Sequence, residues 1–180
     1  EAGRIHRRHG YALVSHRVYS FELMTGDIFR MALIGALALL LIVASVTDLR
    51  ARIISNRLNL TVAALAPFWW LACGLPLWPG MAVQLLVALI VFVAFALLFA
   101  LGCMGGGDVK LLGALALWFP WQATLTMLML MAVLGGIVTI VTVVHHRMTR
   151  RLGQPQIPYG IAISVAALWL LGERYINQFA

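Results

Sequence analysis

Residues 103–112 read Cys103-Met104-Gly105-Gly106-Gly107-Asp108-Val109-Lys110-Leu111-Leu112, and long apolar runs flank them on both sides. Such a polar stretch must lie at a membrane boundary or inside a membrane protein. Three consecutive glycines bring no side chains and permit backbone torsions that other residues avoid. Carboxylates are scarce, and only Asp48 and Asp108 lie within the hydrophobic part of the chain, whereas the other four are Glu1, Glu22, Asp27 and Glu173. This pair is therefore the first candidate for a functional site.

The composition is that of a membrane protein. Of 180 residues, 63% are hydrophobic and 11% are charged, whereas soluble domains carry roughly a quarter charged residues. The net charge of +7 indicates contact with anionic lipid headgroups, and no nucleic-acid-binding motif is present. The two cysteines, Cys73 and Cys103, stand far apart in sequence and predict neither a zinc site nor a disulfide framework.

The first 23 residues differ from the rest of the chain. They are rich in arginine and histidine and contain no sustained apolar run. Met24 precedes the first apolar run and would serve as an initiator. We therefore expect a basic segment at residues 1–23, disordered or not native to the mature protein, followed by one membrane domain at residues 24–180.

Apolar runs predict an all-α membrane protein with about six transmembrane helices. A spanning helix needs about 20 residues, and the fourth run is too short to cross alone unless protein surrounds it. The six runs are Ile28–Thr47, Leu58–Trp78, Met81–Leu101, Val109–Phe119, Trp121–Val144 and Tyr159–Gly172.

Loop charges predict the orientation of these helices. Arginines follow the first and fifth runs, and Lys110 follows the glycines, whereas the turns around Pro79 and Pro120 are uncharged. With six crossings, the basic loops share one side of the membrane, which the positive-inside rule places in the cytoplasm. Asp48 and Asp108 then lie at the same, cytoplasmic membrane boundary.

Two carboxyl groups at one boundary can hydrolyse a peptide bond. The ionised group takes a proton from water, and the protonated group donates to the carbonyl oxygen of the substrate. Carboxyl groups within hydrogen-bonding range do not both ionise readily, so their pKa values separate. The glycines at 105–107 leave room for an extended substrate. These features favour a membrane-embedded aspartic protease that uses no metal and no cofactor.

Simpler structural interpretations of both aspartates remain open at this point. Asp108 would make a favourable N-cap for a helix that begins at Val109. Asp48 would form an i,i+4 pair with Arg52, which is worth only about 0.2–0.5 kcal/mol. A carboxylate at a helix C-terminus opposes the helix dipole, so Asp48 is the harder of the two to explain without a function.

The sequence resembles the type IV prepilin peptidases, a family with a GxGD motif at its second aspartate. Residues 105–108 fit GxGD, and residues 48–56 resemble the motif around the first aspartate, with Ser55 where proline is usual. Residues 158–160, Pro-Tyr-Gly, are similar to the start of the family's last helix. Three ordered motifs over residues 28–172 indicate a GxGD-type intramembrane aspartic protease.

That resemblance implies Asp48 and Asp108 as the catalytic pair. It also implies a prepilin or pseudopilin substrate, whose short basic leader is cut at the cytoplasmic face of a prokaryotic inner membrane. Nothing matches the methyltransferase region of larger members, so the chain is similar to the short peptidases of Flp/Tad pili. The substrate-binding or supporting residues are then Gly105, Gly106, Gly107, Lys110, Asn56, Tyr159 and Gly160.

Other functions compete with this interpretation. A presenilin-type protease also uses GxGD but needs a Pro-Ala-Leu motif, which the sequence lacks. The two aspartates could instead form a proton relay in a transporter or channel, although the runs offer few polar residues beyond Gln84. A non-catalytic subunit of a pilus or secretion assembly is the third possibility. The sequence does not indicate the oligomeric state.

Overall fold

A computed structural model describes the backbone of residues 2–148 and 158–179, with side chains for residues 26–145, 148 and 158–174. The basic segment at residues 1–23 and the arginines at 147, 150 and 151 thus have no described side chains. The predictions made on them stay predictions.

Six α-helices make up the described chain, and no β-strand occurs in it. Their bounds are α1, Ala2–Ala51; α2, Asn56–Ala72; α3, Ala82–Ala100; α4, Gly106–Ala116; α5, Trp121–Met148; and α6, Tyr159–Phe179. A short kinked segment, Leu77–Met81, precedes α3, and Trp78 within it has extended backbone torsions. The predicted all-α class is confirmed. In the part of the chain with described side chains, three segments are long and apolar enough to cross a membrane: Gly26–Ala51, Leu77–Ala100 and Trp121–His145.

The short helix α4 lies at the centre of the fold. It contacts α2, α3, α5 and α6, and eight of its residues are buried. An 11-residue helix is only about 16 Å long, which is too short to cross a bilayer unaided. From the sequence we expect so short an apolar helix only if protein surrounds it, and the structure shows that its neighbours bury it.

Side chains of neighbouring helices satisfy the buried C-terminal end of α4. The last carbonyls of a helix have no partner within it, and an unpaired carbonyl in an apolar interior costs several kcal/mol. The amide nitrogen of Gln84 donates to the carbonyls of Ala116 and Leu117, at 2.9 and 3.1 Å. The indole of Trp70 also donates to Leu117, at 2.7 Å. These bonds allow α4 to end inside the protein.

The tryptophans lie mostly near the ends of the apolar runs, but their surroundings in the structure differ. That placement suggests interface anchors, and Trp78, Trp121 and Trp169 are indeed exposed. Trp70 and Trp118, however, are buried, and Trp118 donates its indole N–H to the carbonyl of Val62 at 2.9 Å. These two rings hold α2 against α4 rather than anchor the protein in lipid headgroups.

Candidate active site

Asp48 is buried in the last turn of α1, and its carboxylate faces α6. Only 5% of Asp48 is exposed, and its Oδ2 accepts a hydrogen bond of 3.2 Å from the backbone N–H of Ile161. That N–H lies in the first turn of α6, where backbone donors have no partner within the helix. Among the described residues no ion pair joins Asp48 to Arg52. The hydrogen bond of Asp48 is therefore with the positive end of another helix, and its i+4 neighbour forms no ion pair with it.

A sharp turn after α1 brings the following loop back onto the site. Arg52 adopts a left-handed conformation with φ 53°, and its N–H bonds to the carbonyl of Asp48 at 2.9 Å. A left-handed residue commonly ends a helix in this way. Ser55 then caps α2, because its hydroxyl accepts a hydrogen bond from the N–H of Leu58 at 3.2 Å. The serine that departs from the family motif thus starts α2 through its side chain.

Asp108 lies in the first turn of α4 and is also buried, with 8% exposed. The helix begins at Gly106 with Gly105 as its N-cap, so the interpretation of Asp108 as an N-cap is wrong. The carboxylate bends back toward the glycines, because a methyl group placed on Gly105 would lie 2.9 Å from Oδ2 of Asp108. A side chain at Gly105 would therefore displace the carboxylate.

Ile54 and Gly160 connect the surroundings of the two aspartates. A methyl group on Gly160 would lie 2.8 Å from the Asp48 carboxylate and 2.7 Å from the side chain of Ile54. A methyl group on Gly107, next to Asp108, would lie 3.2 Å from the backbone oxygen of Ile54. Gly160 lets α6 approach the end of α1, and Gly107 lets α4 approach the loop that follows α1, so these segments meet at one end of the fold. We call this end, with Asp48 and Asp108, the carboxylate end.

The two carboxylates interact electrostatically. Asp108 belongs to α4, which is not one of the three long apolar spans. Burial, and next the negative charge of Asp48, raise the pKa of Asp108 to about 7, although a backbone hydrogen bond at Gly105 lowers it somewhat. Near neutral pH one carboxyl of the pair can therefore hold a proton while the other is ionised, which is the state that general acid–base hydrolysis requires.

The supporting residues predicted from the sequence make different contacts in the structure. Lys110 donates to Oδ1 of Asn56 at 2.8 Å, so this pair joins the start of α2 to that of α4. Gly160 lies against Asp48, as described above. Tyr159 packs on α5, since its ring lies 3.4 Å from a methyl group placed on Gly135. The structure thus shows a packing contact of Tyr159 with α5.

Sequence reasoning missed Asn59, although it is one of the few polar residues in the apolar part of α2. Its side chain is 5% exposed, and its amide nitrogen donates to the carbonyl of Gly107 at 3.1 Å. A polar residue one turn after Asn56 was the available signal. Its partner, Gly107, can be identified only from the packing of α2 against α4.

Comparison with known proteins identifies a family. A model of the type IV leader peptidase family matches residues 35–140, which is more than half of the chain. The matched range contains both aspartates and the three glycines. No curated protein and no solved structure matches the chain.

Proposed function

The chain belongs to the type IV leader peptidase family, and from that premise we propose that it is a membrane-embedded aspartic endopeptidase with Asp48 and Asp108 as the catalytic pair. Its substrates would be type IV prepilins or pseudopilins of the Flp type. The observation that carries the proposal is the convergence of two buried carboxyl groups, 60 residues apart in sequence, at one end of the fold.

Hydrolysis requires one ionised and one protonated carboxyl group. The ionised group takes a proton from a water molecule as the oxygen attacks the carbonyl carbon of the scissile bond. The protonated group donates its proton to the carbonyl oxygen, and collapse of the tetrahedral intermediate transfers a proton to the leaving amine. Glycines at 105–107 let the substrate backbone approach this pair without side-chain collisions.

The charges at the two ends of the fold support cleavage at the cytoplasmic face. Four cationic side chains lie near the carboxylate end, namely Arg50, Arg52, Arg57 and Lys110. Among the residues with described side chains, Asp27 and Glu173 balance Arg30 and Arg174 at the opposite end, and Asp27 pairs with Arg30 at 3.4 Å. By the positive-inside rule the carboxylate end faces the cytoplasm of a prokaryotic inner membrane.

Leader removal from an Flp-type prepilin, co-expressed with the protein, tests this function. Asp48→Asn and Asp108→Asn should each reduce processing at least about 100-fold, because each removes one member of an acid–base pair. Asp27→Asn is the matched control, since the same change at the opposite end should leave processing intact.

If either aspartate variant cleaves the prepilin at the wild-type rate, the catalytic assignment is wrong. The proton-relay and assembly-subunit functions then gain support. If the wild type cleaves another class of prepilin and not the Flp type, the substrate assignment alone is wrong. Proteinase accessibility of a tag placed beside Arg57, in inverted and right-side-out vesicles, tests the membrane face.

A further inference from the structure

Asn59 combines two features that the proposed catalytic pair does not account for. Its amide nitrogen binds the carbonyl of Gly107, while its Oδ1 is buried and has no hydrogen-bond partner. A buried polar atom without a partner is uncommon and costs stability. Such an atom in a native fold calls for a ligand or a function.

This hydrogen bond joins Asn59 to Gly107, the residue directly before Asp108. On its other side Gly107 packs against the backbone of Ile54, which in turn contacts Gly160 beside Asp48. Gly107 is thus held between α2 and the loop that follows α1. Because Gly107 brings no side chain of its own to this packing, these contacts with α2 and the loop add to the helical hydrogen bonds that fix the first turn of α4, which carries Asp108.

Asn59 also lines a lateral groove, which lies between α2, α3 and α4 and has a volume of about 560 Å³. Small residues leave this space open, among them Ala63, Ala88 and Gly113, and most of its remaining lining is apolar. The polar side chains in its lining are Asn56, Asn59 and Lys110, near the start of α4. The polar end of the groove therefore lies beside the start of α4, through Asn59 and Lys110.

We propose that Asn59 is a positioning residue that couples this groove to the dyad: its amide holds Gly107, and its Oδ1 accepts a hydrogen bond from a backbone N–H of the substrate. The inference rests on the proposed peptidase function. An extended or unwinding peptide has free N–H groups near a scissile bond, and such a group supplies the donor that Oδ1 lacks. An apolar segment of the substrate then occupies the groove.

Steady-state cleavage by the purified full-length protein in detergent tests both roles of the side chain. Asn59→Leu removes donor and acceptor at similar size, so kcat should fall about tenfold, the effect of one buried hydrogen bond, and KM should rise several-fold. The matched control is Gln122→Leu, an amide-to-leucine change on an exposed part of α5, which should alter neither constant.

Asn59→Asp separates positioning from simple stability. This variant keeps an acceptor but can donate to Gly107 only when its new carboxyl group is protonated. Its kcat relative to wild type should therefore recover as the pH falls from about 8 to about 5, whereas the relative kcat of Asn59→Leu should stay low. Gln122→Glu controls for a general effect of an added carboxylate.

The outcomes are distinguishable from failure of the proposed function. If wild type does not cleave, or if the Asp48 and Asp108 variants do, the peptidase assignment fails. If those results hold while Asn59→Leu keeps kcat and KM within twofold of wild type, the role of Asn59 is overturned. An unchanged KM with a lowered kcat overturns substrate binding by Oδ1, and the absence of pH recovery in Asn59→Asp overturns the clamp on Gly107.

Discussion

Helices α3 and α4 are both apolar, yet their surroundings are opposite. The 19-residue α3 buries only Gln84, Ala88 and Val91 and exposes most of its large apolar side chains. The 11-residue α4 buries all but a few of its residues. The exposed apolar surface of α3 suits contact with lipid, whereas α4 packs against protein, so two apolar helices have two different roles. The difference lies in length, because only α3 is long enough to cross a bilayer.

Length also determines how the ends of the two helices are satisfied. A spanning helix ends in the polar interface, where water and headgroups bind its free backbone groups. Helix α4 ends inside the fold, so Gln84 and Trp70 must supply donors at its C-terminus. At its N-terminus, the free N–H groups and the helix dipole favour a nearby carboxylate. A buried helix start is thus a suitable place for a catalytic aspartate.

The largest expected contrast between α4 and α3 comes from truncating a leucine in each. Leu112 in α4 has no exposed surface, whereas Leu86 in α3 is 55% exposed. Leu112→Ala should destabilise the protein by about 2–5 kcal/mol, because it removes buried apolar groups and leaves a cavity. Leu86→Ala should destabilise it by about 0.5 kcal/mol or less. Thermal unfolding in one detergent measures both. Equal effects would show that α4 is not the packed centre of the fold.

A smaller effect is expected from removing the hydrogen bonds that Gln84 of α3 donates to the C-terminal end of α4. Gln84→Leu leaves the C-terminal carbonyls of α4 without the Gln84 donor, which should cost about 1–3 kcal/mol. Gln122→Leu, on the exposed face of α5, is the control and should change stability little. Comparison of the two unfolding midpoints checks this prediction. A neutral Gln84→Leu would mean that Trp70 or water satisfies these carbonyls alone.

The mildest change concerns the protonation of Asp108 and involves no loss of structure. With a pKa of about 7, Asp108 is protonated below neutral pH and should react with a hydrophobic carbodiimide there, with labelling lost as the pH rises through 7. Asp48→Asn removes a neighbouring negative charge that raises this pKa, so the midpoint should move to lower pH. Mass spectrometry of the peptide containing Asp108 gives the titration.

Asp27→Asn serves as the control in that titration, because Asp27 lies at the opposite end of the fold and its loss should leave the midpoint in place. An unchanged midpoint in Asp48→Asn would show that the two carboxylates do not interact.

The raised pKa of Asp108 also affects the stability of the protein. Ionising a buried acid of raised pKa opposes folding, so the contribution of Asp108 to stability should decline as the pH rises toward and through 7.

The sequence by itself determined the helical class, the membrane character and the candidate pair of aspartates. Hydrophobic runs have a length that the bilayer imposes, and a carboxylate within such runs is too costly to occur often without a purpose. Ordered motifs around Asp48 and Asp108 indicated the family, which the match over residues 35–140 confirms. These features are local, so they can be recognised along the chain.

Only the tertiary structure decided which apolar residues face protein and which polar ones meet across helices. Hydropathy does not distinguish lipid from a protein interior, and so the burial of Trp70 and Trp118 escaped prediction. The bond from Asn59 to Gly107 joins residues 48 positions apart, and the contact of Asp48 with α6 joins residues 113 apart. Such pairings depend on how helices pack, because a side chain has a partner only where two distant segments meet.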